Sequence, residues 1–118
     1  MVYRLAVCDD LKGTLAFLSS AIEEAFEKHR QMAIVDTFSS SKDLLRAVLQ
    51  QKRYDVYFLD IDMPELNGID LGSRLQKYHA EDNAPILVYV SNREDRVFET
   101  FKTRPLRFIR KRKKKKDF

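Results

Sequence analysis

Carboxylates follow two apolar segments of the sequence, at the point where each segment ends. Asp9 and Asp10 come directly after "YRLAVC", and Asp60 and Asp62 follow "VYFL". If these segments are neighbouring strands, the carboxylates meet, and like charges at that distance raise one another's pKa unless a cation lies between them. A hard divalent ion such as Mg²⁺ takes such oxygen ligands and keeps places for phosphate oxygens.

Two further polar side chains occupy the same kind of position. Ser91 follows the apolar run "ILVYV", and Lys111 follows a run ending in "FIR". A hydroxyl and an amine on the opposite side of the site can hold the remaining oxygens of a phosphoryl group. Together with the carboxylates they describe a site for phosphoryl chemistry on a carboxylate.

The segments around these residues alternate between strand and helix patterns. Strands are predicted over residues 3–8, 33–38, 55–60, 85–90 and 106–109, with amphipathic helices between them, the fourth near residues 97–101. Ser40 and Asp43 form a capping pattern before the second helix. Such alternation predicts βαβ units, and hence an α/β, flavodoxin-like, doubly wound open parallel sheet of five strands with helices on both faces. In the strand order 2-1-3-4-5, the first and third strands are neighbours at the ligand-binding edge.

Composition places the chain among globular proteins. Its 118 residues are 44% hydrophobic and 34% charged, enough for one domain with a core. No apolar run approaches the roughly 20 residues of a membrane span, and the N-terminus has no secretory pattern. A single cysteine fits a reducing compartment, and Cys8 lies in an apolar run typical of a buried thiol. We therefore expect a cytoplasmic protein without a membrane partner.

The positive charge is concentrated at the C-terminus. Residues 110–118 contain seven Lys or Arg and one Asp, whereas the whole chain has a formal charge of only +4. We expect a globular domain over residues 1–111, followed at 112–118 by a basic tail or the start of a linker or last helix. No aromatic stacking pattern or recognition helix accompanies the tail, so direct binding to nucleic acid is not expected.

Four segments resemble the receiver domain of a two-component response regulator, the CheY-like family. They are "VCDD" (7–10), "FLDIDMPELNG" (58–68), "VYVSN" (88–92) and "RFIRK" (107–111), in the order found in that family. The segments "YFLDI", "NGIDLGSRL" and "PLRFIRK" further resemble the corresponding segments of receivers that precede a LytTR-type DNA-binding domain. The resemblance implies a partner sensor histidine kinase and transcription regulation, with DNA contacted only through an output domain absent from this chain.

The resemblance also implies roles for individual residues. Asp60 would accept the phosphoryl group, and Asp9 and Asp10 would hold Mg²⁺ with it. The main-chain carbonyl of Asp62 would supply another ligand. Ser91 would then contact a phosphoryl oxygen.

Lys111 would pair with another phosphoryl oxygen. Phe108 lies where the family has its aromatic switch residue. Its ring would turn inward as Ser91 moves toward the phosphoryl group. Such a domain is not an enzyme acting on a separate substrate. It catalyses its own phosphorylation and dephosphorylation only.

Two features depart from the family pattern. Arg112 follows Lys111 where proline is frequent, and only seven residues remain after Lys111. We expect a last helix that is missing or truncated, unless another element covers that side of the sheet. An uncovered apolar face would favour self-association, for example as a homodimer.

The same residues are also compatible with purely structural roles. Asp9 or Asp10 could cap the first helix, and Ser91 could begin a capping box with Glu94. His29 and His79 are expected at the surface.

The competing function is a haloacid-dehalogenase-like phosphatase. In that family the first aspartate of an Asp-x-Asp motif is phosphorylated and the second acts as acid and base, so the side chains of both Asp60 and Asp62 would be catalytic. That motif, however, belongs to the first strand in phosphatases of this type, and here an acidic pair lies about 50 residues upstream.

Overall fold

The structure is a computed structural model, and it describes residues 2–79, 85–91 and 107–110. For Ser91 and residues 107–110 the description is of the backbone. The fourth helix predicted near residues 97–101, the Ser91–Glu94 capping box, Lys111 and the basic tail lie outside the described residues or extend beyond them. The expectation about a last helix falls in the same region.

The described elements follow the predicted alternation. They are β1 (Val2–Cys8), α1 (Lys12–Lys28), β2 (Met32–Phe38), α2 (Ser41–Leu49), β3 (Val56–Asp60), α3 (Gly68–Tyr78), β4 (Ile86–Ser91) and β5 (Arg107–Arg110).

Local signals set the start of two helices. The Ser40 side chain accepts a hydrogen bond from the Asp43 N–H (3.2 Å) at the start of α2, as predicted. The Asn67 side chain likewise accepts a hydrogen bond from the Asp70 N–H (2.9 Å) at the start of α3.

The five strands form one parallel sheet in the order β2-β1-β3-β4-β5, which confirms the predicted fold class. Cys8 at the end of β1 pairs with Phe38 on one side and with Leu59 on the other. Next in β3, Asp60 pairs with Val90 of β4. Because all strands run in the same direction, their carboxyl ends lie at a single edge of the sheet.

Both faces of the sheet carry an apolar core. Helices α2 and α3 pack on one face, where alternate strand residues meet the buried faces of both helices, and α1 packs on the other. Each buried Leu, Val or Ile contributes roughly 1.5–3 kcal/mol to this packing. The largest buried side chains include Tyr57, Tyr89, Leu5, Leu44, Leu59 and Leu71. This packing on both faces fixes the positions of the central strands β1 and β3 and of the residues at their carboxyl ends.

The prediction that both histidines lie at the surface is wrong for His79. His29 is exposed, but the side chain of His79, just after α3, is only 5% exposed. Its Nδ1 lies 3.2 Å from Nη1 of Arg53, and its Nε2 lies 3.1 Å from the hydroxyl of Tyr57. These partners come from the segment before β3 and from β3 itself, so the burial of His79 cannot be predicted from the residues next to it in the sequence.

No described helix combines the length and the apolar character that crossing a membrane requires.

Candidate functional site

The structure brings three of the predicted carboxylates together at the carboxyl edge of the sheet. Asp9 and Asp10 follow β1, and Asp60 is the last residue of the adjacent strand β3. One carboxylate oxygen from each of the three lies within 4.8 Å of the others. Asp9 and Asp60 are buried, and Asp10 is half-buried. This acidic cluster is on the scale of the ligand shell of a single hard cation.

Asp9 and Asp10 do not cap the first helix. The N-cap residue of α1 is Leu11, and no side chain makes a capping hydrogen bond there. Instead, the Leu11 N–H donates to Oδ1 of Asp9 (2.9 Å), an Asx-turn contact that orders the segment between β1 and α1. The helix-capping alternative for the acidic pair is therefore wrong.

The electrostatic effect of the acidic cluster is visible at Cys8, the residue before it. Burial raises the pKa of the Cys8 thiol to about 12, and the neighbouring carboxylates, Asp9 and Asp60 foremost among them, add to this rise. The thiol is therefore protonated at neutral pH, and Cys8 behaves as the small buried apolar residue that its sequence context predicts.

The ligands in the acidic cluster fit a hard divalent cation. All three side chains offer carboxylate oxygens, the donors that Mg²⁺ and Ca²⁺ prefer, and the adjoining thiol is protonated. Among the described residues, the cluster does not include the side chain of Asp62, which is exposed. A contribution from Asp62 would therefore come through its main-chain carbonyl, which is the role that the family resemblance implies.

A cavity of about 230 Å³ adjoins the cluster on the side of Asp10. One wall is the start of α2, and the other is the loop after β3, with Met63, Pro64 and Glu65. The opening gives the half-buried carboxylate of Asp10 access to solvent.

The surroundings of Gly68 explain why the segment "FLDIDMPELNG" (58–68) ends in glycine. Its N–H donates to the Ile61 carbonyl (2.9 Å), which closes the β3–α3 loop, residues 61–67. A Cβ at Gly68 would overlap the main-chain carbonyl of Asp60 and approach the Ile61 Cα at 2.9 Å. Since these backbone atoms have no room to move away, only glycine lets α3 begin so close to Asp60.

The strand register bears on the remaining predicted residues through the backbone. Ser91 ends β4 one residue after Val90, the partner of Asp60, so its backbone lies beside the end of β3. In β5, Phe108 pairs with Tyr89.

Lys111 directly follows Arg110, which pairs with Ser91, but Lys111 itself lies outside the described residues. The roles of Ser91, Phe108 and Lys111 therefore stay predictions.

One buried polar residue beside the site escaped the sequence reasoning. Ser41 is 3% exposed, and its hydroxyl donates to the main-chain carbonyl of Leu66 (2.6 Å) in the β3–α3 loop. Its burial could have been predicted from the spacing of residues along the helix, because Ser41, Leu44 and Val48 form the buried stripe of α2. A serine on an otherwise apolar stripe indicates a hydroxyl with a partner in another element.

The geometry does not favour the phosphatase alternative. Asp60 ends the third strand of the chain, and the acidic residues beside it come from the end of the first. The second aspartate of the proposed pair, Asp62, is exposed and does not belong to the acidic cluster.

Comparisons with known proteins agree with this arrangement. The chain is 32% identical over 85 residues to the transcriptional regulatory protein YpdB of Escherichia coli, covering 72% of this chain and 33% of YpdB. It thus spans about a third of the length of that relative.

Solved structures share the fold. The response regulator CheY4 of Vibrio cholerae superposes with a TM-score of 0.77 at 16% identity, over 99% of this chain and 92% of that one. TrrA of Thermotoga maritima, solved in complex with Mg²⁺-BeF, gives a TM-score of 0.77 at 17% identity, over 93% and 87%. The family model of the response regulator receiver domain matches residues 5–118. The chain therefore belongs to the response regulator receiver domain family.

Proposed function

We propose that Asp60 accepts a phosphoryl group from the phosphohistidine of a sensor histidine kinase in a Mg²⁺-dependent reaction. The observation that carries this proposal is the meeting of Asp9, Asp10 and Asp60 within 4.8 Å at the carboxyl ends of β1 and β3. Three carboxylates so close together repel one another without a cation, and a structural role for such a set is hard to find.

The chemistry assigned to Asp60 is nucleophilic. A carboxylate oxygen of Asp60 attacks phosphorus, the new P–O bond forms as the bond to the histidine nitrogen breaks, and the released imidazole takes a proton from solvent. Later attack of water on the same phosphorus restores the free carboxylate and releases phosphate. The domain thus catalyses its own phosphorylation and dephosphorylation.

The other residues of the site hold charge and position. Asp9 and Asp10, with Asp60 and the main-chain carbonyl of Asp62, would hold Mg²⁺. When bound, this ion supplies positive charge that offsets both the carboxylates and the phosphoryl oxygens. The hydroxyl of Ser91 and the amine of Lys111 would bind the remaining phosphoryl oxygens.

The output of the switch follows from the same proposal. Movement of Ser91 toward the phosphoryl group would draw the ring of Phe108 inward and change the surface near β4 and β5. YpdB is a transcriptional regulatory protein, which supports a DNA-binding output of the LytTR type. In this proposal residues 1–111 form the receiver, and residues 112–118 are a basic tail or the start of a linker or last helix. The protein works in the cytoplasm, and a homodimer is its proposed self-association.

The test is phosphorylation with a small donor. The purified chain is incubated with acetyl phosphate and Mg²⁺, and its intact mass is measured; wild type should gain one adduct of about 80 Da. The gain should disappear when EDTA removes Mg²⁺. It should also disappear in Asp60→Asn, which keeps the shape of the side chain but lacks the nucleophilic carboxylate.

The matched control is Asp62→Asn, the same change two residues away, on an exposed side chain outside the acidic cluster. This variant should keep the adduct, since only its main chain is assigned a role. Loss of the adduct in both Asp60→Asn and Asp62→Asn would contradict the proposal and favour the phosphatase alternative. Retention of the adduct in Asp60→Asn would also contradict it.

A further inference from the structure

The β3–α3 loop is connected to the start of α2 by a partly buried hydrogen bond from the buried side chain of Ser41. The hydroxyl of Ser41 donates to the Leu66 carbonyl at 2.6 Å, across 25 residues of sequence. The same hydroxyl lies 3.8 Å from Sδ of Met63, which in turn lies 3.7 Å from Sγ of Cys8. Contacts therefore run from α2 through two loop residues to the end of β1, directly before Asp9.

The loop needs such a restraint because its backbone is strained. Glu65 has φ 67°, a left-handed value that costs most non-glycine residues free energy. The Leu66 N–H donates to the Pro64 carbonyl (2.8 Å) around it, a bond from residue i+2 to residue i as in a γ-turn. Such a conformation persists only where surrounding contacts enforce it.

A second tie at the surface is the weaker one. Nζ of Lys42 lies 2.9 Å from Oε2 of Glu65, but the two side chains are 70% and 62% exposed. Exposed ion pairs of this kind are weak, because water screens the charges and two long side chains lose freedom. Of these two polar contacts, the partly buried hydrogen bond of Ser41 is therefore the stronger restraint on the loop.

We propose that Ser41 is a positioning residue for the acidic site. Its hydroxyl holds the β3–α3 loop, through Leu66 and Met63, in the conformation that lets the main-chain carbonyl of Asp62 join the acidic cluster as a cation ligand. This inference rests on the proposed function, since it assigns that carbonyl to Mg²⁺. Ser41 itself touches neither the cation nor the phosphoryl group.

Ser41→Ala tests the inference against a neighbour with the same chemistry. Ser40→Ala removes the helix-capping bond to Asp43, made in the same turn of α2 but not to the loop. Both variants lose one hydroxyl hydrogen bond, so both should unfold at lower temperature. Only Ser41→Ala should also raise the dissociation constant for Mg²⁺, by roughly five- to tenfold. Titration followed by tyrosine fluorescence measures this constant.

Hydrogen exchange in the absence of Mg²⁺ supplies a readout independent of metal and of phosphorylation. The amides of Leu66 and Gly68, which donate within the loop, should exchange faster in Ser41→Ala than in wild type or Ser40→Ala. If Ser41→Ala does not fold, Ser41→Cys keeps a side chain of nearly the same shape with a weaker donor. It should show the same two effects at smaller size.

The outcomes separate this inference from the proposed function. If wild type fails to bind Mg²⁺, the proposed function itself is wrong. If wild type binds Mg²⁺ and both serine variants bind equally well, or both lose affinity equally, then Ser41 has no positioning role and the site stands without it. Unchanged exchange of the loop amides in Ser41→Ala overturns the inference in the same way.

Discussion

Tyr89 of β4 packs against Gly72 of α3 at a helix position that has no side chain. A Cβ on Gly72 would overlap the Tyr89 hydroxyl and lie 3.1 Å from its Cζ and 3.2 Å from Cδ1 of Leu87. Tyr89 is completely buried, so its ring has little freedom to move away. The missing side chain thus sets how closely α3 approaches the strand that ends at Ser91.

Replacing Gly72 by alanine should therefore destabilise the protein, although alanine is the better helix former. We expect the free energy of unfolding to fall by about 1–3 kcal/mol, because the new methyl group overpacks the core. Urea denaturation measures the change. Gly13→Ala in α1 is the matched control: nothing lies within 4 Å of the added Cβ, and this variant should gain about 0.5–1 kcal/mol.

The acidic cluster should destabilise the protein until a cation binds. In EDTA, Asp60→Asn should raise the free energy of unfolding by about 1 kcal/mol, because it removes one of three repelling carboxylates. Mg²⁺ should raise the melting temperature of wild type by ligand linkage, and that of the variant by less. Thermal denaturation with and without Mg²⁺ measures both effects.

Asp70→Asn provides the control for this charge change. Asp70 is exposed in the first turn of α3, so its neutralisation should not stabilise the metal-free protein and should leave the Mg²⁺ response intact. Equal melting temperatures of wild type in EDTA and in saturating Mg²⁺ would refute the cation site.

The buried contact between Tyr57 and His79 should contribute measurably to stability. Since a guanidinium can only donate, Nδ1 of His79 accepts from Arg53, and Nε2 therefore carries the proton that is donated to the Tyr57 hydroxyl. Tyr57→Phe removes this bond and should cost about 1–3 kcal/mol. Tyr78→Phe, at a ring that is 43% exposed, should change stability by less than about 0.5 kcal/mol. Equal effects in the two variants would show that the buried bond is unimportant.

Tyrosine ionisation should weaken the protein at alkaline pH. The ordinary pKa of a tyrosine is 10.0. Burial raises the pKa of Tyr54, and the hydrogen bond that Tyr54 donates to Asp36 (2.6 Å) adds to this rise. Burial also raises the pKa of Tyr57, to about 12. Below pH 10 both phenols are protonated in the folded and unfolded states alike, and the stability that they contribute is fully present. Between pH 10 and 12 only the unfolded state loses its protons, so the free energy of unfolding falls.

Tyr54→Phe should flatten this fall. At pH 7 the variant should be less stable than wild type by about 1 kcal/mol, the contribution of the lost hydrogen bond. The difference should shrink at pH 11, because the variant no longer has that phenol to ionise. Urea denaturation at a series of pH values measures the two curves, and parallel curves would disprove the assignment.

What the sequence alone determined is carried by local patterns. The alternation of apolar strands and amphipathic helices predicts a parallel sheet, and parallel strands end at one edge, so Asp9, Asp10 and Asp60 could be placed together before any coordinates. The cap at Ser40 was equally predictable, because its partner is three residues away.

Tertiary structure alone decided the contacts between residues far apart in the chain. His79 is buried by Arg53 and Tyr57, more than 20 residues earlier, and Ser41 binds a loop 25 residues later. The capping alternative for Asp9 failed because Leu11 takes the N-cap position of α1. Periodicity states which face of an element is buried but not which atoms of another element it meets, since that depends on how helices and strands pack in three dimensions.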